Sequence, residues 1–283
     1  MKKFTLVLLG LILAMSMTAC GKEKANGGDS KAANAQTETK AAESTSMTVD
    51  ELIKKTTEAS NGMKSYSMDM NMNENISVKQ GDQQQDQKIE MKMKIDAMKD
   101  PMQMYSETNM SAPGSASQNI KMYITKEGIF ANQTGTWTKL PDSQKDQLLA
   151  SMDQSSNPGN QLEKLKTIAK DAKVSEEGNE YLLTADLSGD GVKDFAKSLM
   201  NQSGNSNPQA AQMLDQMNIK NIKINYNVNK DNFFLTKANV EMTMEMEAEG
   251  QKVTMEMKMD TTVSKHNEIK EIKVPQDVLD SAK

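Results

Sequence analysis

Methionine recurs along this chain as Met-x-Met: Met68, Met70 and Met72; Met91 and Met93; Met102 and Met104; Met242, Met244 and Met246; Met255, Met257 and Met259. On a strand, alternate residues share one face about 7 Å apart. Thioethers are soft ligands that suit Cu(I), so each group is a candidate copper site. They are also unbranched, adaptable apolar groups that fill cores and line cavities. The pattern recurs on nearly every long strand rather than in one cluster, as a lining would. The expectation is therefore an apolar face formed by Met with Tyr66, and no metal. Asp186, Ser188, Asp190 and Asp194 could offer oxygens in the order of a calcium loop, with Gly191 at the sharp turn. The twelfth position, however, is Lys197, where a bidentate Glu is required. A strand-to-helix turn capped by Asp190 is expected instead. His266, the lone histidine, is read as a solvated turn residue, and Trp137 as a core or rim anchor. No apolar-flanked acidic pair marks a glycosidase, and no Gly-rich phosphate loop is present. Neither a catalytic centre nor a cofactor is expected.

Composition narrows the classes further. The chain has 283 residues with a net charge of −5, and all 34 of its basic residues are lysine. Nucleic acid is excluded as a partner, since phosphate binding needs a concentrated basic face. No Arg fork is available for bidentate recognition of phosphate or carboxylate. One Cys among 25 Met rules out an internal disulfide. That Cys stands at a telling place. Lys2 and Lys3 precede an apolar run from Phe4 to Met17, the length of a signal-peptide core. The run ends Met17-Thr18-Ala19-Cys20-Gly21, which resembles a bacterial lipobox. Met17 stands for the usual Leu, and Thr18 for the commoner Ala or Ser. The resemblance implies cleavage before Cys20, a diacylglyceryl thioether on its sulfur and an acyl group on its amino terminus. Residues 1–19 are thus a lipoprotein signal peptide, and membrane attachment runs through Cys20. Residues 20–46 are the lipidated Cys and a disordered tether, too poor in apolar side chains to order itself.

Residues 47–283 must position the methionines, and they read as one domain. Thr48-Val49-Asp50-Glu51 is a capping box. With Leu52, Ile53, Thr56, Ala59 and Met63 at helical spacing, it predicts a helix over about 49–61, stopped at Asn61-Gly62. The period then changes to two: Tyr66, Met68, Met70 and Met72, then Ile89, Met91, Met93 and Ile95. A turn at Gln80-Gly81 would pair Met70 with Met91 and Tyr66 with Ile95. Strands follow from Pro101, at 120–124, at 129–130 and at 137–140. Helices are expected near 142–152 and 160–172, a strand at 181–187, and helices near 192–199 and 208–217. Then come three long strands through Ile222, through Met242 and through Met257. A two-residue loop at Glu249-Gly250 pairs Met246 with Val253, Met244 with Met255 and Met242 with Met257. The opposite face then sets Glu247 by Lys252 and Glu241 by Lys258. Apolar and charge patterns thus agree on one register.

Clean alternation over long antiparallel strands means one covered and one wet face. The fold class is therefore α+β: a large curved antiparallel sheet, an incomplete β-barrel, wrapped around a few helices. The strand-rich ends of the domain read as two halves of one sheet. The short helix before Met63-Lys64-Ser65-Tyr66-Ser67, the Trp137-Thr138-Lys139 strand and the ending Ile272-x-Val274-Pro275-x-x-Val278 resemble uncharacterised lipoproteins of Gram-positive bacteria whose domain is related to the LolA/LppX half-barrel. The resemblance implies an apolar cavity that holds lipid or acyl chains, and a place on the outer face of the cell membrane. Two functions remain from different classes. One is an apolar-ligand binder or carrier whose cavity is lined by Tyr66, Met68, Met70, Met72, Met91, Met93, Met242, Met244, Met246, Met255, Met257 and Met259. The other is a ligand-free structural or sensory envelope lipoprotein with a filled Met core, acting through protein contacts.

Overall fold

A computed structural model describes residues 47–133, 135–141, 172–188, 217–248 and 250–282, with Ser143 and Val192 besides. The signal peptide, Cys20, the tether, the calcium-like loop apart from Asp186, Leu187, Ser188 and Val192, and nearly all of the four helices expected between 142 and 217 lie outside the described residues.

The N-terminal helix spans Val49–Gly62 and is capped as its sequence requires. The Thr48 hydroxyl accepts from the Glu51 amide at 3.3 Å, while the Glu51 carboxylate accepts from the Thr48 amide at 3.2 Å. That pairing satisfies two of the amides a helix start leaves orphaned. It also holds the Glu51 carboxyl below its ordinary value, through hydrogen bonds from Thr48. Leu52 and Ile53 are buried against the sheet, together with Met63 just past the helix end.

The strands are β1 (Ser65–Gln80), β2 (Gln83–Lys99), β3 (Met102–Ser111), β4 (Gln118–Thr125), β5 (Gly128–Asn132), β6 (Trp137–Leu140), β7 (Lys173–Glu177), β8 (Glu180–Ser188), β9 (Met217–Asn229), β10 (Leu235–Ala248) and β11 (Gln251–Ser264). They form one antiparallel sheet in the order β6-β5-β4-β3-β2-β1-β11-β10-β9-β8-β7. Each half is a meander of neighbours in sequence. The halves are sewn together where β1 pairs with β11, from Ser67 opposite Ser264 to Gln80 opposite Gln251. β6 and β7 are left as edges, so the barrel is incomplete.

The C-terminal hairpin has the expected register: Met246 faces Val253, Met244 faces Met255 and Met242 faces Met257. On its wet face Lys258 reaches Glu241 at 3.3 Å. Lys252, opposite Glu247, reaches diagonally to Glu245 at 3.1 Å. The N-terminal hairpin is displaced from expectation. Met70 faces Met93 rather than Met91, and Tyr66 faces Ala97 rather than Ile95. The turn residues are Gly81-Asp82, and Gly81 holds φ +58°. A glycine at the first central position is what a type II′ hairpin needs. Moving the turn by one residue moves the pairing by two, which leaves every side chain on its face.

Three more corrections concern local pattern. β9 starts at Met217, where helix was expected. A bulge opposite Thr243–Met244 puts Ile219 on the same face as Ile222 and Ile224, which hides the period of two there. The alternation of the second long strand extends in sequence back to Phe234, but β10 opens at Leu235. His266 was read as solvated, but it is half-buried: its ring stacks on Phe234 at 4.8 Å, and Nε2 lies 3.0 Å from the Leu235 carbonyl oxygen. Burial pushes its pKa below the ordinary 6.5.

After β11 the chain crosses the outer face of the sheet. The Asn267 and Ile269 amides donate to the Ser65 carbonyl and hydroxyl oxygens, at 2.8 and 3.1 Å. The Ile272 amide donates to Gln103 Oε1 at 3.1 Å. A short helix, Gln276–Ser281, then seats Val278, with Val274, on Phe130.

Candidate functional site

All twelve residues expected to form the lining lie on one face of the sheet. Pairing fixes this: Met68, Met70 and Met72 face Ile95, Met93 and Met91 on one side, and Val263, Thr261 and Met259 on the other. Tyr66 is in phase with them, and the β10–β11 methionines continue the face toward Ile222, Ile224 and Ala185. The N-terminal helix packs on this same side.

The face is not uniformly sealed. Tyr66, Met72, Met244, Met246 and Met255 are buried. Met68, Met70, Met91, Met93, Met242, Met257 and Met259 are only half-buried. A close-packed interior leaves few gaps larger than a water molecule, so the half-exposed thioethers mark a stretch that the described residues leave only partly covered. Six of these seven, Met68, Met70, Met91, Met93, Met257 and Met259, lie together on β1 and its two neighbours.

Sequence reasoning missed a buried charged residue on that face. Glu74 stands between Met257 on β11 and Ile89 on β2. It is 1 % exposed, and its Oε1 has no hydrogen-bond partner. Burial raises its pKa above the ordinary 4.5, because taking a carboxylate out of water disfavours the charged form. The signal was available in the phase: Glu74 is two residues after Met72 and two before Ile76, inside an apolar alternation that continues to Val78. Thr56, on the N-terminal helix, likewise carries a buried hydroxyl oxygen without a partner. Among the described residues, no three His, Cys, Asp or Glu come together to hold a metal ion.

An open antiparallel sheet with one apolar, methionine-rich face beneath a helix defines the class: an incomplete β-barrel. The chain belongs to DUF6612, a family of unknown function whose model matches residues 48–283. The comparison with curated proteins finds no match. Among solved structures, LprF from Mycobacterium bovis is 10 % identical, with 80 % of this chain and 95 % of that one covered at a TM-score of 0.41. The LolA superfamily protein NE2245 from Nitrosomonas europaea is 11 % identical, with 82 % and 97 % covered and a TM-score of 0.17. A DUF1329 family protein from Desulfovibrio piger is 11 % identical, with 76 % and 91 % covered at 0.23. At these scores none of the three likenesses carries an argument about ligand or activity.

Proposed function

We propose that this chain is a lipid-anchored extracytoplasmic lipoprotein that binds or carries an apolar ligand, a lipid or acyl chain, on its methionine face. Cys20 is its anchor to the outer face of the cell membrane, and residues 47–283 are its binding domain. The observation that carries the binding reading is the cluster of half-buried methionines on β1, β2 and β11. Flexible thioether side chains repack around varied apolar shapes, as a carrier of acyl chains requires. The anchor reading rests on the lipobox-like sequence at Met17 to Gly21.

The buried Met72, Met244, Met246 and Met255 favour the filled-core alternative over their part of the face. One experiment separates the two. Native mass spectrometry of protein purified without detergent, followed by solvent extraction, should show a co-purifying lipid. Protein that carries none, and that also takes up no apolar fluorescent probe, would leave the ligand-free envelope lipoprotein.

A further inference from the structure

We propose that the outer face of β3–β6 carries a second binding site, a groove that takes a chain of uncharged pyranose sugars. The groove has a volume of about 810 Å³ and lies on the opposite side of the sheet from the methionines, so it is independent of the apolar-ligand reading.

Its floor is aromatic. Tyr105 and Tyr123 are cross-strand partners on β3 and β4, with ring centroids 4.7 Å apart at 35°. Trp137 on β6 continues the row, 5.6 Å from Tyr123 at 42°. All three are half-buried, so each keeps part of its ring open. They come from β3, β4 and β6, with β5 between the last two, and of the three rings only Tyr123 and Trp137 touch the cluster formed by Phe130, Val274 and Val278. The docked C-terminal helix forms one wall, with Asp277 on the rim.

The polar edge is organised by Glu107. It accepts hydrogen bonds from Asn119 Nδ2 at 2.9 Å and from the Tyr105 hydroxyl at 3.3 Å, and it pairs with Lys121 at 3.7 Å. These partners, Asn119 foremost, hold the Glu107 carboxyl below the usual carboxylate range. Tyr105 is pushed up to about 12, chiefly by burial and then by Glu107, and so stays a neutral phenol at physiological pH. Tyr105, Asn119 and Lys121 all line the groove, and one carboxylate fixes all three.

A pyranose has an apolar C–H face and a rim of hydroxyls that both donate and accept. A row of rings serves the first, and an amide, an ammonium and a carboxylate serve the second. Tyr and Trp supply that contact area at low conformational cost. Other ring-stacking ligands fit less well. A nucleic acid would bring phosphates toward Asp277 and Glu107 on a protein with a net charge of −5. An organic cation would be repelled by the Lys121 ammonium, which lines the groove beside the rings.

The test exploits Trp137, the chain's sole tryptophan. Its emission is followed in the full chain while a tetramer of β-1,4-linked N-acetylglucosamine, the corresponding glucose tetramer or tetramethylammonium chloride is added. We expect at least one tetramer to give a saturable change, with half-saturation at about 1 mM or below, and to protect Trp137 from acrylamide quenching. Tyr105→Ala should raise the half-saturation about tenfold, and Tyr105→Phe by less, because the ring remains. The wild-type titrations decide even if Tyr105→Ala fails to fold. A response to tetramethylammonium alone, or to none of the three, overturns the proposal.

Discussion

Replacing Glu74 with Leu should stabilise the protein at pH 7, and the gain should shrink as the pH falls. The carboxyl is 1 % exposed, and its Oε1 is unpartnered. A buried polar group left without a hydrogen bond costs about 1–3 kcal/mol. Leu keeps an apolar side chain in contact with Met257 and Ile89, so the expected gain at pH 7 is about 1–3 kcal/mol. In a domain of this size that is roughly 2–4 °C in Tm per kcal/mol. The pH dependence follows from the direction of the shift, since burial raises the folded-state pKa above the ordinary 4.5. Between the unfolded and folded values the native state binds the extra proton. The slope of stability against pH is then negative. The contribution of Glu74 is most favourable below pH 4.5 and is lost as pH rises through the folded value. Leu carries no proton, so its advantage over the wild type should be smallest in acid and widest at neutral pH. Equilibrium urea unfolding of both proteins across that range, followed by circular dichroism, measures it. A Leu variant several kcal/mol less stable than the wild type at pH 7 would refute the reasoning, because that is what breaking a buried charge pair does. So would a stability difference that does not change with pH.

Three further outcomes are expected. Cys20→Ala should abolish incorporation of a radiolabelled fatty acid; unchanged labelling would sink the lipobox reading. Met244→Asp or Met255→Asp places an unpaired charge at a buried position and should cost several kcal/mol in urea unfolding. Glu247→Ala, on the exposed face, should cost under about 1 kcal/mol; equal losses would mean the faces are misassigned. Single Met→Leu changes at Met70, Met93, Met244 or Met257 conserve volume, so uptake of an apolar fluorescent probe should weaken by less than about 1.5 kcal/mol. A copper site would behave oppositely, because Leu has no sulfur to donate. Titration of each variant with Cu(I) beside the probe separates the two chemistries.

The strands were legible where two patterns constrained each other. In β10 and β11, methionines alternate on one face and Glu and Lys on the other, and only one register satisfies both. In β1 the wet face is mostly Asn and Ser, so the charges on the wet face of β2 find few opposite charges to match. The turn residue alone then set the pairing, and the φ of Gly81 decides it. β7, Lys-Val-Ser-Glu-Glu, escaped notice because one apolar residue in five gives no period to read. The C-terminal helix escaped for a similar reason: six residues are less than two turns. It is held by the contact of Val274 and Val278 with Phe130, more than 140 positions away in sequence.

The two candidate sites differ in legibility for a physical reason. The methionine face repeats along each strand, so a periodic reading finds it strand by strand. The aromatic groove takes one ring from each of β3, β4 and β6, and within any one strand that ring is a single residue among polar side chains on its own face. Tyr105, Tyr123 and Trp137 become a row only when the register of β3 on β4, β4 on β5 and β5 on β6 is known. Glu74 sits between these cases. Its phase within β1 marks it as facing the methionines, but whether its carboxyl has a partner depends on what β2 and β11 place opposite. Those strands bring Ile89 and Met257, neither of which can donate a hydrogen bond to a carboxylate. An apolar neighbourhood on both sides is what turns a charge in phase with a core pattern into a buried, titratable group, and the Glu74→Leu substitution tests that burial.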